Sequence, residues 1–273
     1  MTSAPSRTRS VRLFQTAPHA CGYYPDRQAQ DLLLDPWESQ LGDAYSQAVA
    51  AGFRRSGGQV YRPRCEGCRA CRPLRLALAD FVPTRSQRRC WQRNLDIELL
   101  DQITQPTQEH YDLFHRYLHG RHRGGGMDQG DATDFESFAT SHFSDTRFFE
   151  LRLNGRLLAL AITDVLGDAL SAVYTCFEPA EAARALGTLA ILRQIDWGRR
   201  NGKRYLYLGF LIEGHPKMQY KAKFAPAEWL TSEGWERYAP RAHSQPASTP
   251  AKRSASDPDG QLDHGIDQAT ANR

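Results

Sequence analysis

No apolar run in the sequence approaches the roughly 18 residues that a bilayer-spanning helix needs, although 40% of its 273 residues are hydrophobic. No apolar stretch follows the polar, basic segment Met1–Arg12. A secretory leader is therefore not expected, and the cytoplasm is the default compartment. Cysteine is scarce: there are six in all, four of them before residue 72. That is too few and too clustered for a disulfide framework, and in a reducing compartment such a cluster points to metal or thiol chemistry. Lysine is absent between Gly52 and Arg93, where eleven arginines face only two acids, Glu66 and Asp80. No aromatic residue follows Tyr238, and the tail 241–273 is rich in Ser, Pro, Ala, Asp and Gln. It cannot bury enough apolar surface to offset its ordering entropy, so disorder is expected there. Nor does any Ser-His-Asp or Cys-His arrangement stand out.

What is present suffices for a real core over residues 12–240. Leu41, Ala44, Tyr45, Ala48 and Val49 recur at helical spacing. Gln59–Tyr61 and Leu74–Leu78 read as short strands flanking the cysteines. Helices are expected over Glu109–His119 and Asp134–Phe143. Phe149, Leu151 and Leu153 alternate with charged residues, and Asn154-Gly155 is a strong hairpin signal. Strands are expected over Leu157–Thr163, Leu170–Phe177 and Tyr205–Ile212, with an apolar helix over Ala182–Arg200. Three antiparallel strands, a central helix and a further strand suggest an α+β fold with a GNAT-like acyltransferase core. The expected division is a Cys/Arg-rich N-terminal mixed α/β region (12–105), the transferase domain (106–240) and the disordered tail.

Two clusters carry chemistry. Cys65, Cys68 and Cys71 step by three around Gly67, and Cys21 or His19 would complete four ligands for zinc or an iron–sulfur cluster. The alternative is three semi-buried cysteines at a tight turn; Cys90 and Cys176 read as small core residues. The arginine block, with Gly52-Phe-Arg-Arg-Ser-Gly57, Tyr61-Arg-Pro63 and Arg85-Ser-Gln-Arg-Arg89, implies a defined anionic partner, because guanidinium groups grip phosphate and carboxylate through paired hydrogen bonds. Further on stand Arg121-His122 before a glycine run, Tyr207-Leu-Gly209, Lys217-Met218 and Tyr220-Lys-Ala-Lys-Phe224.

Together these motifs resemble the aminoacyl-tRNA–protein transferases of the N-degron pathway, from about Phe14 to Trp229. GFRRSG with YRP, Ser171-Ala-Val-Tyr174 to Phe177-Glu-Pro179, Leu186-Gly187 and Lys217-Met218 with Tyr220-Lys221 are shared with eukaryotic arginyltransferases. The SQRR run and the RH before the glycines look more like the bacterial branch. The resemblance implies transfer of leucine from Leu-tRNA to proteins with N-terminal Asp or Glu, with no cofactor required for the chemistry and no membrane or DNA partner. Arg54, Arg55 and Ser56 are candidates for the acidic acceptor terminus. Arg85, Arg88, Arg89, Lys221 and Lys223 are candidates for tRNA phosphates. Tyr174 and Tyr220 would line the aminoacyl pocket or polarise the ester, and Glu213 would receive a proton. Arginine as the donated residue, an acetyl-CoA-dependent N-acetyltransferase and a non-enzymatic RNA-binding metal knuckle are the rival readings. In the stretch Arg184-Ala-Leu-Gly187-Thr-Leu189, bulky Leu189 argues against a bound coenzyme A phosphate.

Overall fold

The computed structural model describes residues 11–121 and 130–240. The glycine-rich turn expected after Arg121 and the C-terminal tail lie outside the described residues. In chain order, β1 (Leu13–Gln15), β2 (His19–Ala20), β3 (Gln28–Ala29) and β4 (Asp31–Leu34) precede α1 (Leu41–Ala50). Then come β5 (Arg54–Ser56), β6 (Gln59–Pro63), β7 (Arg72–Ala77), α2 (Arg85–Arg93) and β8 (Glu98–Ile103). The second half holds α3 (Gln108–Arg121), α4 (Ala132–Ala139), β9 (Asp145–Leu153), β10 (Arg156–Val165) and β11 (Ala169–Phe177). It closes with α5 (Leu186–Arg200), β12 (Tyr205–Leu211), β13 (Glu228–Leu230) and β14 (Trp235–Arg237).

The large sheet has the order β14-β13-β7-β12-β11-β10-β9-β8, and a smaller one the order β1-β4-β6-β5. Side chains alternate across the large sheet. Phe149, Leu151, Leu158, Leu170, Leu206 and Leu208 point into one core under α5. Phe148, Leu160, Ile162 and Cys176 point the other way, under α3 and α4. Tyr207 and Ala169 share that second face with α1 and the smaller sheet. β10 is buried from Leu157 to Asp164 because both its faces are covered. Asn154 and Gly155, at φ 50° and 81°, form the β9–β10 hairpin turn.

β7 and β8 belong to the N-terminal part of the chain, yet both are strands of the large sheet. The described residues up to Ala239 cluster as one compact unit, so a boundary near residue 105 does not separate two cores. The helix expected from Ala182 begins at Leu186, with a 3-10 turn over Pro179–Arg184 before it. α2 emerges where only a basic run was read: the Thr84 side chain accepts from the Gln87 amide and the Gln87 side chain from the Thr84 amide, closing both ends of its first turn.

Candidate active site

β11 and β12 run parallel, but they pair only from Ala169/Tyr205 to Ser171/Tyr207. β11 continues to Phe177 and β12 to Leu211, so beyond the third pair the strands part. At the same place the register of β12 against β7 slips between Tyr207 and Gly209. Gly209 sits at φ 81°, where a side chain is strained.

Arg54 fills the opening. Its guanidinium donates to the Ser171 hydroxyl (3.3 Å), the Ala172 carbonyl and the Val173 carbonyl (3.3 Å). The two carbonyls lie just beyond Ser171, the last residue of β11 that β12 pairs. A Cβ on Gly209 would lie 3.0 Å from Arg54 Cζ, so the bare backbone there admits the guanidinium. Arg54 is 8% exposed.

Around it stand groups from three parts of the chain. Lys221, on a 3-10 turn over Gln219–Lys223, donates from Nζ to the Phe210 carbonyl at 2.8 Å. Burial, and then the neighbouring Arg54 charge, push its amine down to about 7. Burial raises the Tyr23 and Tyr61 hydroxyls, with Arg54 opposing the shift at each. Both therefore stay protonated at neutral pH and offer O–H donors. His215 Nε2 donates to the Tyr23 carbonyl at 3.2 Å, tying the β2–β3 loop to the segment after β12. Tyr220, 47% exposed, lies within electrostatic reach of Arg54, Tyr117 and Tyr174. Tyr174 faces Phe114 and Phe138 at 5.6 and 5.3 Å between ring centres, which makes one aromatic wall.

Not every residue singled out from the sequence reaches this place. Arg55, the next residue on the strand, turns to the other side. Its side chain is fully buried against Asp164, with Nε 2.7 Å from Oδ2, and its remaining N–H groups go to Thr146 and to the carbonyls of Ala139, Phe138, Thr140 and Gly57. It has no donor left for a substrate carboxylate, which corrects the expectation of an Arg55 clamp. Ser56 is exposed at the end of β5. Lys221, expected on phosphate, is buried instead. Glu213 is exposed after β12 and accepts from the Tyr238 hydroxyl at 3.2 Å.

Arg85, Arg88 and Arg89 share the exposed face of α2, while Gln87 and Cys90 bury the other. The Gln87 amide donates to the Lys223 carbonyl at 3.1 Å, which couples this basic face to the turn carrying Tyr220 and Lys221. Lys223 itself is exposed. Between α2 and α5 a groove of about 280 Å³ sets Arg88 beside Trp91. Leu189 lies in the first turn of α5 and its side chain is fully buried in the core beneath that helix.

Cys21, Cys65, Cys68 and Cys71 are half-buried free thiols. Cys71 is pushed up to about 12, first by burial and then by the other three, so the four do gather. Among the described residues, however, no group of three or more His, Cys, Asp or Glu is arranged to hold a metal ion. The expectation of zinc or an iron–sulfur cluster at these cysteines is not supported by this geometry. Cys90 and Cys176 are buried in the core. No described helix is long and apolar enough to cross a membrane.

Sequence reasoning missed Tyr23 and Tyr61 as members of the site and the burial of Lys221. Only the alternation around Val60 hinted that Tyr61 turns away from the core of α1.

A family model described as "Arginine-tRNA-protein transferase, N terminus" matches residues 19–89, and its C-terminal counterpart matches residues 109–231. An aspartate/glutamate leucyltransferase of Stenotrophomonas maltophilia is 48% identical over 85% of this chain and 95% of its own. Proteins of that name from Xanthomonas euvesicatoria and Xylella fastidiosa are 53% and 47% identical, over 82% and 84% of this chain and 92% of their own in each case. Among solved structures, the C-terminal domain of a putative lysylphosphatidylglycerol synthetase from Agrobacterium fabrum aligns with a TM-score of 0.45 and 15% identity, over 67% of this chain and 61% of that one. With both halves of the family matched in order, and relatives near half-identical over almost their whole length, the chain belongs to the arginine-tRNA-protein transferase family.

Proposed function

We propose that the protein transfers leucine from Leu-tRNA to the N-terminal Asp or Glu of proteins, in the cytoplasm, and so marks them for degradation by the N-degron pathway. The observation that carries this reading is Arg54: a buried guanidinium held in the opening between β11 and β12, in a chain whose relatives at about half identity are named aspartate/glutamate leucyltransferase. Three of its N–H contacts go to β11, which leaves donors for an acidic acceptor. The order β9-β10-β11-α5-β12 supports a GNAT-like acyltransferase arrangement, with the reaction at the parting strands.

The aminoacyl ester is already activated. The nucleophile is an α-amine with an ordinary pKa of about 7.7–8.0, which leaves a useful neutral fraction at cytosolic pH. Attack on the ester carbonyl gives a tetrahedral oxyanion. Collapse releases the tRNA ribose hydroxyl, and the proton lost by the amine ends on that oxygen. Positioning and oxyanion stabilisation then supply most of the acceleration. The protonated hydroxyls near Arg54, with Tyr174 and Tyr220, are the donors for the oxyanion, and the aromatic wall of Tyr174, Phe114 and Phe138 receives the leucyl side chain. Glu213 is an exposed proton acceptor at the rim. Arg85, Arg88, Arg89 and Lys223 hold acceptor-stem phosphates. The test is transfer of labelled leucine and arginine, each charged on tRNA, to peptides beginning with Asp, Glu, Lys or Ala. Leucine should move, and only to Asp and Glu; transfer of arginine would reassign the donor, and bound tRNA that is never discharged would end the transferase reading.

A further inference from the structure

Arg54 and Lys221 are two buried basic groups, 8% and 7% exposed, close enough for the Arg54 charge to disfavour a charge on Lys221. Buried charges are normally paired with an acid. Here the partners are a hydroxyl and three backbone carbonyls: Ser171, Ala172 and Val173 for Arg54, and Phe210 for Lys221. Among the described residues no carboxylate contacts either cation. The nearby acids are engaged elsewhere, Asp31 with His19 at 3.5 Å and Asp164 with Arg55, Tyr45 and Thr146. An ammonium has three N–H donors, and Lys221 uses one. The other titratable groups facing the pair, Tyr23, Tyr45, Tyr61, Tyr220 and Cys71, are all raised in pKa and so are neutral at physiological pH. The place therefore holds positive charge and spare donors, with no anion of its own.

We propose that Arg54 and Lys221 together form the receptor for the acidic side chain of the target's first residue, and that Lys221 determines the preference for Asp and Glu over their amides. This rests on the leucyltransferase reading above. The entering carboxylate supplies the missing anion between the two cations. Its arrival favours the charged amine, so an acidic terminus binds with uptake of a proton that an amide terminus does not require.

The experiment compares wild type with Lys221→Met and Lys221→Arg, measuring leucine transfer from charged tRNA to otherwise identical peptides beginning with Glu or Gln. Losing a charge-assisted contact is worth about ten- to a hundredfold. The Glu/Gln ratio of kcat/KM should fall by that factor in Lys221→Met and recover in part in Lys221→Arg, with KM for the charged tRNA unchanged. An unchanged ratio overturns the proposal, and a raised tRNA KM with an unchanged ratio would assign the pair to a tRNA phosphate instead. Wild type that transfers to neither peptide would defeat the leucyltransferase reading rather than the role of Lys221. Should Lys221→Met fail to fold, calorimetry on wild type in buffers of different ionisation enthalpy at pH 8 decides. The Glu peptide should take up close to one proton more than the Gln peptide, and equal uptake overturns the proposal.

Discussion

Arg55 and Asp164 meet in the interior as a two-pronged pair, Nε to Oδ2 and Nη2 to Oδ1, both at 2.7 Å. Neither side chain has any exposed surface. The Tyr45 hydroxyl, at 2.6 Å, and the Thr146 hydroxyl, at 2.8 Å, complete the carboxylate. The pair thus joins α1, β5, β9 and β10 at one point, and Arg55 also donates to the Phe138 and Ala139 carbonyls at the end of α4. Adjacent arginines on one three-residue strand therefore do different work: Arg55 locks the layers together, and Arg54 occupies the site.

From this follows a prediction opposite to that of a substrate clamp. Arg55→Ala leaves Asp164 buried without its cation, a change that costs about 3–5 kcal/mol. Arg55→Lys should also destabilise, because an ammonium cannot reproduce the two parallel bonds. Urea unfolding checks both. A stable Arg55→Ala protein that had lost only its preference for acidic peptides would return Arg55 to the site.

Much of the scaffold was legible because its signals are local. Apolar alternation and Asn154-Gly155 announced β9 and β10, and the apolar periodicity of Leu186–Trp197 announced α5. The smaller sheet was not, since β1, β4 and β5 are three or four residues long and gain their pairing from distant strands. At the site, the sequence pointed to Arg54 and Arg55 alike. Strand alternation separates them, but which face meets the parting of β11 and β12 is a fact of tertiary structure. Lys221 and Lys223 likewise read as equals, yet one lies under Arg54 and the other in solvent.

Gly209 offers a test of the opening itself. Alanine there must adopt φ 81° and bring its Cβ to 3.0 Å from Arg54 Cζ. The backbone strain is about 1–2 kcal/mol, tolerable for a stable fold. The displaced guanidinium is not tolerable for function. Gly209→Ala should remain folded by circular dichroism while kcat/KM for a Glu peptide falls at least about tenfold. Full activity would mean that Arg54 does not need its present position.

The face of α2 makes a separate prediction about tRNA. Arg85 and Arg89 are exposed, so alanine there should leave stability within about 0.5 kcal/mol. Each phosphate contact removed should lower the slope of log K against log salt by about 0.7–0.9. Filter binding of charged tRNA at several salt concentrations reads this directly. Weaker binding with an unchanged slope would remove these arginines from the phosphate contacts.

Lys221 should also be visible in the stability of the protein without substrates. Its amine is lowered to about 7 in the folded state from 10.5. Between these values the unfolded chain binds a proton that the folded one does not, so unfolding free energy rises with pH across that window. Below about 7 both states carry the proton and the slope disappears, while the folded protein bears the full cost of two buried cations. The raised thiols of Cys71, Cys90 and Cys176 act in the opposite sense from about pH 8.5, where unfolded thiols ionise first, and the raised hydroxyls of Tyr23 and Tyr61 do so above about pH 10. The thiols and hydroxyls are common to both proteins, so the unfolding free energy of wild type minus that of Lys221→Met, read by urea between about pH 7 and 10, should rise by up to about 1.4 kcal/mol per pH unit. Parallel curves for the two proteins would mean that Lys221 stays charged in the folded state, with an anion already beside it.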